Sequence, residues 1–300
     1  MTDDHAPVSA EASGTWTLGD LPVRRIGFGA MRLPGRIAFD NTSVSDRTRS
    51  IRVLRRAVEL GVNHIDTAAF YFSSLRSANE LINTALAPYP DDLVIVTKVG
   101  PRRDRAGAWT AWARPEELRG DVEENLRQLG RDHLDVVNFR MNERTSAAIE
   151  EYVGALAELR DAGLVRHVGV SDVDAELLAR AQKVTPVVCV QNRFGLGTGR
   201  PGDADLLRSC ADQGIAFVPF FAIAGSGGHA GATGTTESPA VERIAAAHGA
   251  SPAQIRLAWT LHQGPNVLAI PGTGDPEHLA QNVAAGALRL SGEELRALAG

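Results

Sequence analysis

Eight short runs rich in β-branched residues recur along this chain at a spacing of about 30 residues, alternating with helix-like stretches. The runs are "RIGFGA", "NHIDTA", "LVIVTK", "LDVVNF", "HVGVS", "VVCVQ", "IAFVPF" and "NVLAIPG". Strands that alternate with helices must pair in parallel, and eight such units predict a closed (β/α)8 barrel, the TIM-barrel class of α/β fold. A doubly wound open sheet is the structural competitor. It calls for G-x-G-x-x-G between the first strand and its helix. "GFGAMR" does not fit, "GLGTGR" follows a late strand and lacks the third glycine, and no P-loop is present.

The helix signals agree with the barrel. "RTRSIRVLRRAVELG" puts Ile51, Leu54 and Val58 on one face and ends at Gly61, a natural C-terminal stop. "RPEELRGDVEENLRQLG" opens on Pro115 with acids in its first turn and stops at Gly130. "SAAIEEYVGALAELRDAG" carries Ile149, Val153, Leu156 and Leu159 and stops at Gly163. Further helices are expected near 174–183, 203–212, 238–248, 252–263 and 276–285. "TWTLGDLPV" reads as a β-hairpin turning at Gly19-Asp20 that closes the barrel floor. Residues 1–14 read as a disordered tail and 15–300 as one barrel domain, since no composition shift marks a linker. "AGSGGHAGATGTTES" (Ala224 to Ser238) leaves a strand at the face where barrel active sites form, so a mobile lid and a slack surface loop both remain open.

Composition narrows the function classes. A net charge of -5 offers no general attraction to nucleic acid or acidic membranes. No run approaches the roughly 18 apolar residues of a membrane span, and the acidic N-terminus lacks the basic and apolar regions of a secretory signal. Cys189 and Cys210 read as reduced core thiols of a cytoplasmic protein. With no CxxC and no HExxH, a zinc site is not expected. Of the 31 basic residues only Lys98 and Lys183 are lysines. An ammonium is compact and can shift its pKa where a guanidinium cannot, so Lys98, at the end of "DLVIVTK", stands out beside an ordinary helix-end Lys183.

In a barrel the C-terminal strand ends converge on one mouth. Here they bring Asp66 and Tyr71, Lys98, Arg140, then Ser171 and Asp172, Gln191, Phe220, and finally "PGTGDPEH". A phenol works as an acid near neutral pH if cations pull its pKa below about 10. Lys98 is placed to do so, with Asp66 holding the ammonium. The competing readings are local: Asp66-Thr67 as a loop cap, and Tyr71 as a packing tyrosine.

At this point the residues resemble the aldo-keto reductase family. "GVNHIDTAAFY" is similar to its signature, "IVTK" to its lysine strand, and "GLVRHVGVSD", "VQNRF" and "IPGTGDPEHLAQNVAA" to its nicotinamide and adenosine segments. The similarity runs over about residues 15 to 298. "LDVVN" followed by an apolar residue and Arg, "VPFF" and "IPGT" resemble the bacterial pyridoxal-reductase-like subgroup. The resemblance implies a carbonyl reductase in which Tyr71 protonates the carbonyl oxygen as hydride arrives from C4 of the nicotinamide. Lys98 and Asp66 would tune its pKa. It further implies that Ser171 and Gln191 hold the carboxamide, that Phe220 stacks on the nicotinamide, and that Gly29, Met31 and Gly225 touch the cofactor. Asp172 stands where Asn is usual, and as a carboxylate it accepts but cannot donate.

Arg140 takes the position of the family's catalytic histidine. A fixed cation there would polarise the carbonyl, further depress Tyr71 and bind an anionic substrate oxygen, leaving the acid role to Tyr71 alone. The competing reading is a rim ion pair with Glu143. For the cofactor, the resemblance implies NADPH, with NADH as the alternative, because relatives that grip the 2′-phosphate with Lys or Arg are answered here by Gly272, Thr273 and His278. Gln281 and Asn282 would contact the adenine. Trp109 and Trp112 either wall a planar substrate or fold their loop onto itself. A Schiff-base lyase using Lys98 and a nicotinamide-binding regulatory subunit are the other functions in play. The partner expected is a small carbonyl compound, not nucleic acid or membrane, acting on a monomer or small homo-oligomer.

Overall fold

The computed structural model describes residues 8–35, 39–142, 145, 148–223 and 237–299. Strands β1 (Thr15–Leu18) and β2 (Leu21–Arg24) pair antiparallel across Gly19-Asp20, the expected hairpin. Gly19 sits at φ +69, and a Cβ there would run into the His167 ring, so the turn needs glycine twice over.

The chain then alternates β3 (Phe28–Gly29), α1 (Arg47–Glu59), β4 (His64–Asp66), the small pair β5 (Phe72–Ser73) and β6 (Arg76–Ser77), and α2 (Ala78–Leu86). It continues with β7 (Val94–Val99), α3 (Leu118–Leu129), β8 (Leu134–Arg140), α4 (Ile149–Asp161), β9 (Val165–Ser171) and α5 (Ala175–Gln182). β10 (Val187–Gln191), α6 (Asp203–Asp212), β11 (Ala216–Phe217), α7 (Pro239–His248), α8 (Pro252–Leu261), α9 (Pro276–Ala284) and α10 (Gly292–Ala299) complete it.

Seven strands form one sheet in the order β11-β10-β9-β8-β7-β4-β3, every neighbour parallel. The eighth run, "NVLAIPG", is not a continuous ladder strand. It joins the two sheet edges through the parallel bridges Phe217↔Val267 and Ile26↔Ala269. Leu268 N donates to Phe217 O at 2.9 Å and Gly27 N to Ala269 O at 2.8 Å, so the ring closes into the (β/α)8 barrel. The pairing is brief because Pro219 and Pro271 have no N–H to give.

Two apolar layers follow from strand periodicity. Inward-facing Val94, Val96, Val136, Cys189 and Leu268 pack with Leu18 and Val23 of the hairpin, which plugs the barrel at the N-terminal strand ends. Outward-facing Ile65, Ile95, Val137 and Phe139 pack against the helices, where Ile149, Val153, Leu156 and Leu159 of α4 are all buried.

One expectation needs correcting, and two helices were not foreseen. The tail does not fray throughout: Ala10–Ser13 form a 3-10 helix capped by the Ser9 side chain, with Ala10 in the core and Ser13 Oγ accepting from Ile26 N at 3.0 Å. α2 was not among the helices expected, although its buried Ala78, Leu81, Ile82, Ala85 and Leu86 recur at helical spacing; its buried face also includes Asn79. That amide joins a polar network, accepting from Thr67 Oγ1 at 2.7 Å and donating to Asn125 Oδ1 at 2.9 Å. α10 also follows what looked like the last helix. The proposed lid at 224–238 lies largely outside the described residues, as does Gly225. No described helix is long and apolar enough to cross a membrane. Cys189 and Cys210 are both buried and unpaired, and burial pushes each thiol up to about 12.

Candidate active site

Parallel register and the two-residue period decide which side chains reach the mouth. Asp66 ends β4, and Lys98 lies on β7 beside Asn138 of β8; Arg140 is paired with Ser171, and Ser171 with Gln191. Of these, Asp66, Lys98, Arg140 and Gln191 line a cavity of about 430 Å³.

Lys98 and Asp66 are buried together at its base. Lys98 Nζ donates to both carboxylate oxygens, at 2.7 and 2.8 Å, and to the Thr67 carbonyl at 3.0 Å. Burial alone would lower the Lys98 pKa, but Asp66 and Tyr71 outweigh it and the ammonium is held above its ordinary value. Nζ stands 4.9 Å from the centre of the Tyr71 ring. One expectation fails here. The Tyr71 phenol is raised, not depressed: burial dominates, Asp66 adds to it, and Lys98 and Arg140 offset only part.

Gln191 supports the carboxylate, with Nε2 donating to Asp66 Oδ2 at 2.8 Å. Its own Oε1 faces Asn138 Nδ2 at 3.5 Å, and Asn138 Oδ1 accepts from Cys189 Sγ at 3.0 Å. Asn138 is a positioning residue that the sequence reading missed. It shares Arg140's face two residues earlier on β8, and Gly169 makes room for it: a Cβ there would meet Asn138 Oδ1 at 2.0 Å.

Arg140 lines the cavity with its side chain 27% exposed. Nη1 donates to Ser171 Oγ at 3.2 Å, Nη2 stands 3.4 Å from Asp172 Oδ2, and the guanidinium lies 4.7 Å over the Phe220 ring. Glu143, the alternative partner, lies outside the described residues. Asp172 has φ +68, a conformation few residues other than glycine adopt, and it also meets Arg200 Nη1 at 3.3 Å. Ser171 is fully buried, its Oγ donating to Gln191 O at 2.8 Å. Ser171 and Asp172 therefore hold Arg140 and do not line the cavity themselves.

The walls are aromatic. Trp109 packs on Phe39 at 5.0 Å and Phe70 at 5.9 Å, and Trp112 donates its indole N–H to Arg140 O at 2.9 Å. The loop does fold onto itself, with Arg103 bridged to Trp109, while both tryptophans still line the cavity. Phe39 and Phe70 were not legible from strand ends, because both lie in loops.

Toward the barrel seam the cavity is lined by Gly29, Met31 and Gly272. Gly29 and Gly272 touch backbone to backbone: a Cβ on Gly272 would meet Gly29 O at 2.5 Å. Thr273, His278, Gln281 and Asn282 lie beyond this cavity, the first two around the start of α9 and the others farther along it. There Thr273 Oγ1 accepts from Asp275 N at 3.0 Å, and Asp275 caps the helix by accepting from Glu277 N and His278 N at 2.8 and 3.4 Å. Arg49 of α1 pairs with Asp275. His278 and Gln281 are exposed and Asn282 is buried.

Residues 25–300 match the model of the "Aldo/keto reductase family". Pyridoxine 4-dehydrogenase of Escherichia coli K12 is 43% identical over 294 residues, covering 96% of this chain and 98% of the relative. Among solved structures, a Klebsiella pneumoniae aldo-keto reductase in complex with NADPH matches with a TM-score of 0.77 at 28% identity, over 95% of this chain and 93% of that one. The thermostable aldo-keto reductase Tm1743, in complex with the inhibitor epalrestat, matches with a TM-score of 0.79 at 30% identity, over 95% and 97% of the two chains.

Proposed function

Since this chain belongs to the aldo/keto reductase family, we propose that it is an NADPH-dependent oxidoreductase interconverting an aromatic aldehyde of the pyridoxal type and its alcohol. The observation that carries this reading is the Tyr71 phenol, set against a buried Lys98–Asp66 pair at the base of an aromatic cavity.

The residues fit the cofactor. Gln191 presents an amide in the cavity, Phe220 presents a ring face, and the cavity ends at the Gly29–Gly272 seam, next to the start of α9. There Arg49 supplies positive charge for a phosphate, alongside the helix N-terminus. When bound, reduced nicotinamide supplies the hydride.

The chain's own part is the proton. Burial keeps Tyr71 protonated through neutral pH. Its hydroxyl donates to the carbonyl oxygen, and the phenolate left behind is stabilised by the Lys98 ammonium, which Asp66 holds in place. Arg140 adds a fixed positive charge at the mouth. It has no proton to exchange near neutral pH, so it polarises the carbonyl and receives an anionic ring oxygen. Trp109, Phe39 and Phe70 pack a flat substrate and exclude water.

The same geometry argues against a Schiff-base lyase. A lysine held protonated by donating two hydrogen bonds to a buried carboxylate is a poor nucleophile. A binding-only regulatory role leaves the complete acid site without a purpose. The test follows NADPH and NADH absorbance with pyridoxal, benzaldehyde and simple ketones. Oxidation of NADPH with aromatic aldehydes supports the reading, and the ratio of the two cofactor Michaelis constants fixes the preference. No oxidation with any of them overturns it.

A further inference from the structure

The hairpin loop between β7 and α3 is organised by one guanidinium. Arg103 Nε donates to Gly107 O at 2.9 Å, Nη1 to Phe70 O and Phe72 O at 3.2 and 2.8 Å, and Nη2 to Phe39 O at 2.9 Å. Four carbonyls on three separate segments share one planar fork. Its Cζ also lies 4.4 Å from the Phe72 ring, 5.6 Å from Trp109 and 5.8 Å from Phe39. Among the described residues no carboxylate forms an ion pair with it. Gly107, at φ +87, is shaped around this group: a Cβ there would meet Arg103 Nη2 at 2.8 Å.

The carbonyls it binds matter. Phe70 and Phe72 flank Tyr71, whose ring packs edge-on against Phe70 at 5.1 Å. Phe39 and Phe70 carry Trp109. A side chain that reaches the backbone on both sides of the phenol, and both supports of the aromatic wall, ties the two into one rigid piece. A lysine in its place would have no fork to span four acceptors.

We propose that Arg103 is a positioning residue that sets the spacing between the Tyr71 hydroxyl and the aromatic wall, and so confers selectivity for flat aromatic carbonyl substrates over small aliphatic ones. The inference rests on reading this cavity as a carbonyl-reductase site. A small aldehyde needs only the phenol, whereas a ring needs the phenol and the wall at a fixed distance.

The experiment compares wild type, Arg103→Met and Arg103→Lys with pyridoxal and with propanal. In both variants KM for pyridoxal should rise about tenfold or more, a misplacement effect, while kcat/KM for propanal stays within about twofold. Trp109→Ala combined with Arg103→Met should cost no more than the worse single change, since both act on one wall. Equal losses for both aldehydes, or an unchanged ratio, overturn the assignment. If Arg103→Met does not fold, Gly107→Ala, which displaces the guanidinium without removing it, must shift the ratio the same way or the proposal fails. Wild type that turns over neither aldehyde defeats the reductase reading alone. Calorimetric binding of pyridoxal then still decides the role of Arg103, with about tenfold weaker binding in Arg103→Met expected and unchanged affinity contradicting it.

Discussion

Asp66, Tyr71, Lys98 and Arg140 were legible in the sequence because each ends or follows a strand, and strand ends in a barrel meet. Their electrostatics were not. Burial is a tertiary property, and it reverses the expected depression of Tyr71. The activity of the reductase should therefore not fall at neutral or mildly alkaline pH from loss of the Tyr71 proton. Arg140→Ala should lower kcat by about tenfold to a hundredfold by removing a fixed charge beside the developing oxyanion, as measured from initial rates. Unchanged turnover would leave Arg140 a rim residue. His64, two residues before Asp66 on the same inward face, is fully buried and neither ring nitrogen has a hydrogen-bond partner among the described residues. Burial holds it neutral down to about 4, against an ordinary 6.5. The unfolded chain takes up its proton first as pH falls, so stability declines between pH 6.5 and 4, by about 3 kcal/mol in all, and this contribution is constant above that window. Urea unfolding at pH 7.5 and 4.5 should show His64→Leu losing less stability than wild type on acidification. An equal loss would mean that His64 titrates normally in the folded protein.

At the scale of elements, periodic helices and apolar strands were readable, and the contacts between them were not. β8 and α4 fall within a few residues of their sequence signals. α2 went unassigned although its apolar residues recur at helical spacing, and its inward Asn79 finds partners just after β4 and on α3. The eighth strand shrank to bridges because Pro219 and Pro271 have no N–H to donate. The glycine pair at the seam has a structural role that the sequence does not display. The resemblance implies that Gly29 and Gly272 contact the cofactor, and they also let two backbones touch. Gly272→Ala should destabilise the fold by roughly 1–3 kcal/mol, since the added methyl meets backbone that cannot turn aside. A thermal midpoint equal to wild type would show that the seam can open.

For the molecule as a whole, the barrel separates stability from chemistry: the hairpin floor plugs one end while the strand termini at the other carry the site. Leu18→Ala in the floor should cost about 2–5 kcal/mol in urea unfolding and leave KM for the aldehyde unchanged. A shifted KM would mean that the floor and the mouth are coupled. The fold class was readable from eight repeats alone. The aromatic wall was only half readable, because Phe39 and Phe70 come from loops that Arg103 gathers. The account stands on one proton donor. Turnover of pyridoxal with NADPH by Tyr71→Phe, alongside its NADPH affinity, tests this most directly. Affinity should be kept while kcat falls by about 10²–10⁴. A Tyr71→Phe protein that turns over at the wild-type rate would contradict it.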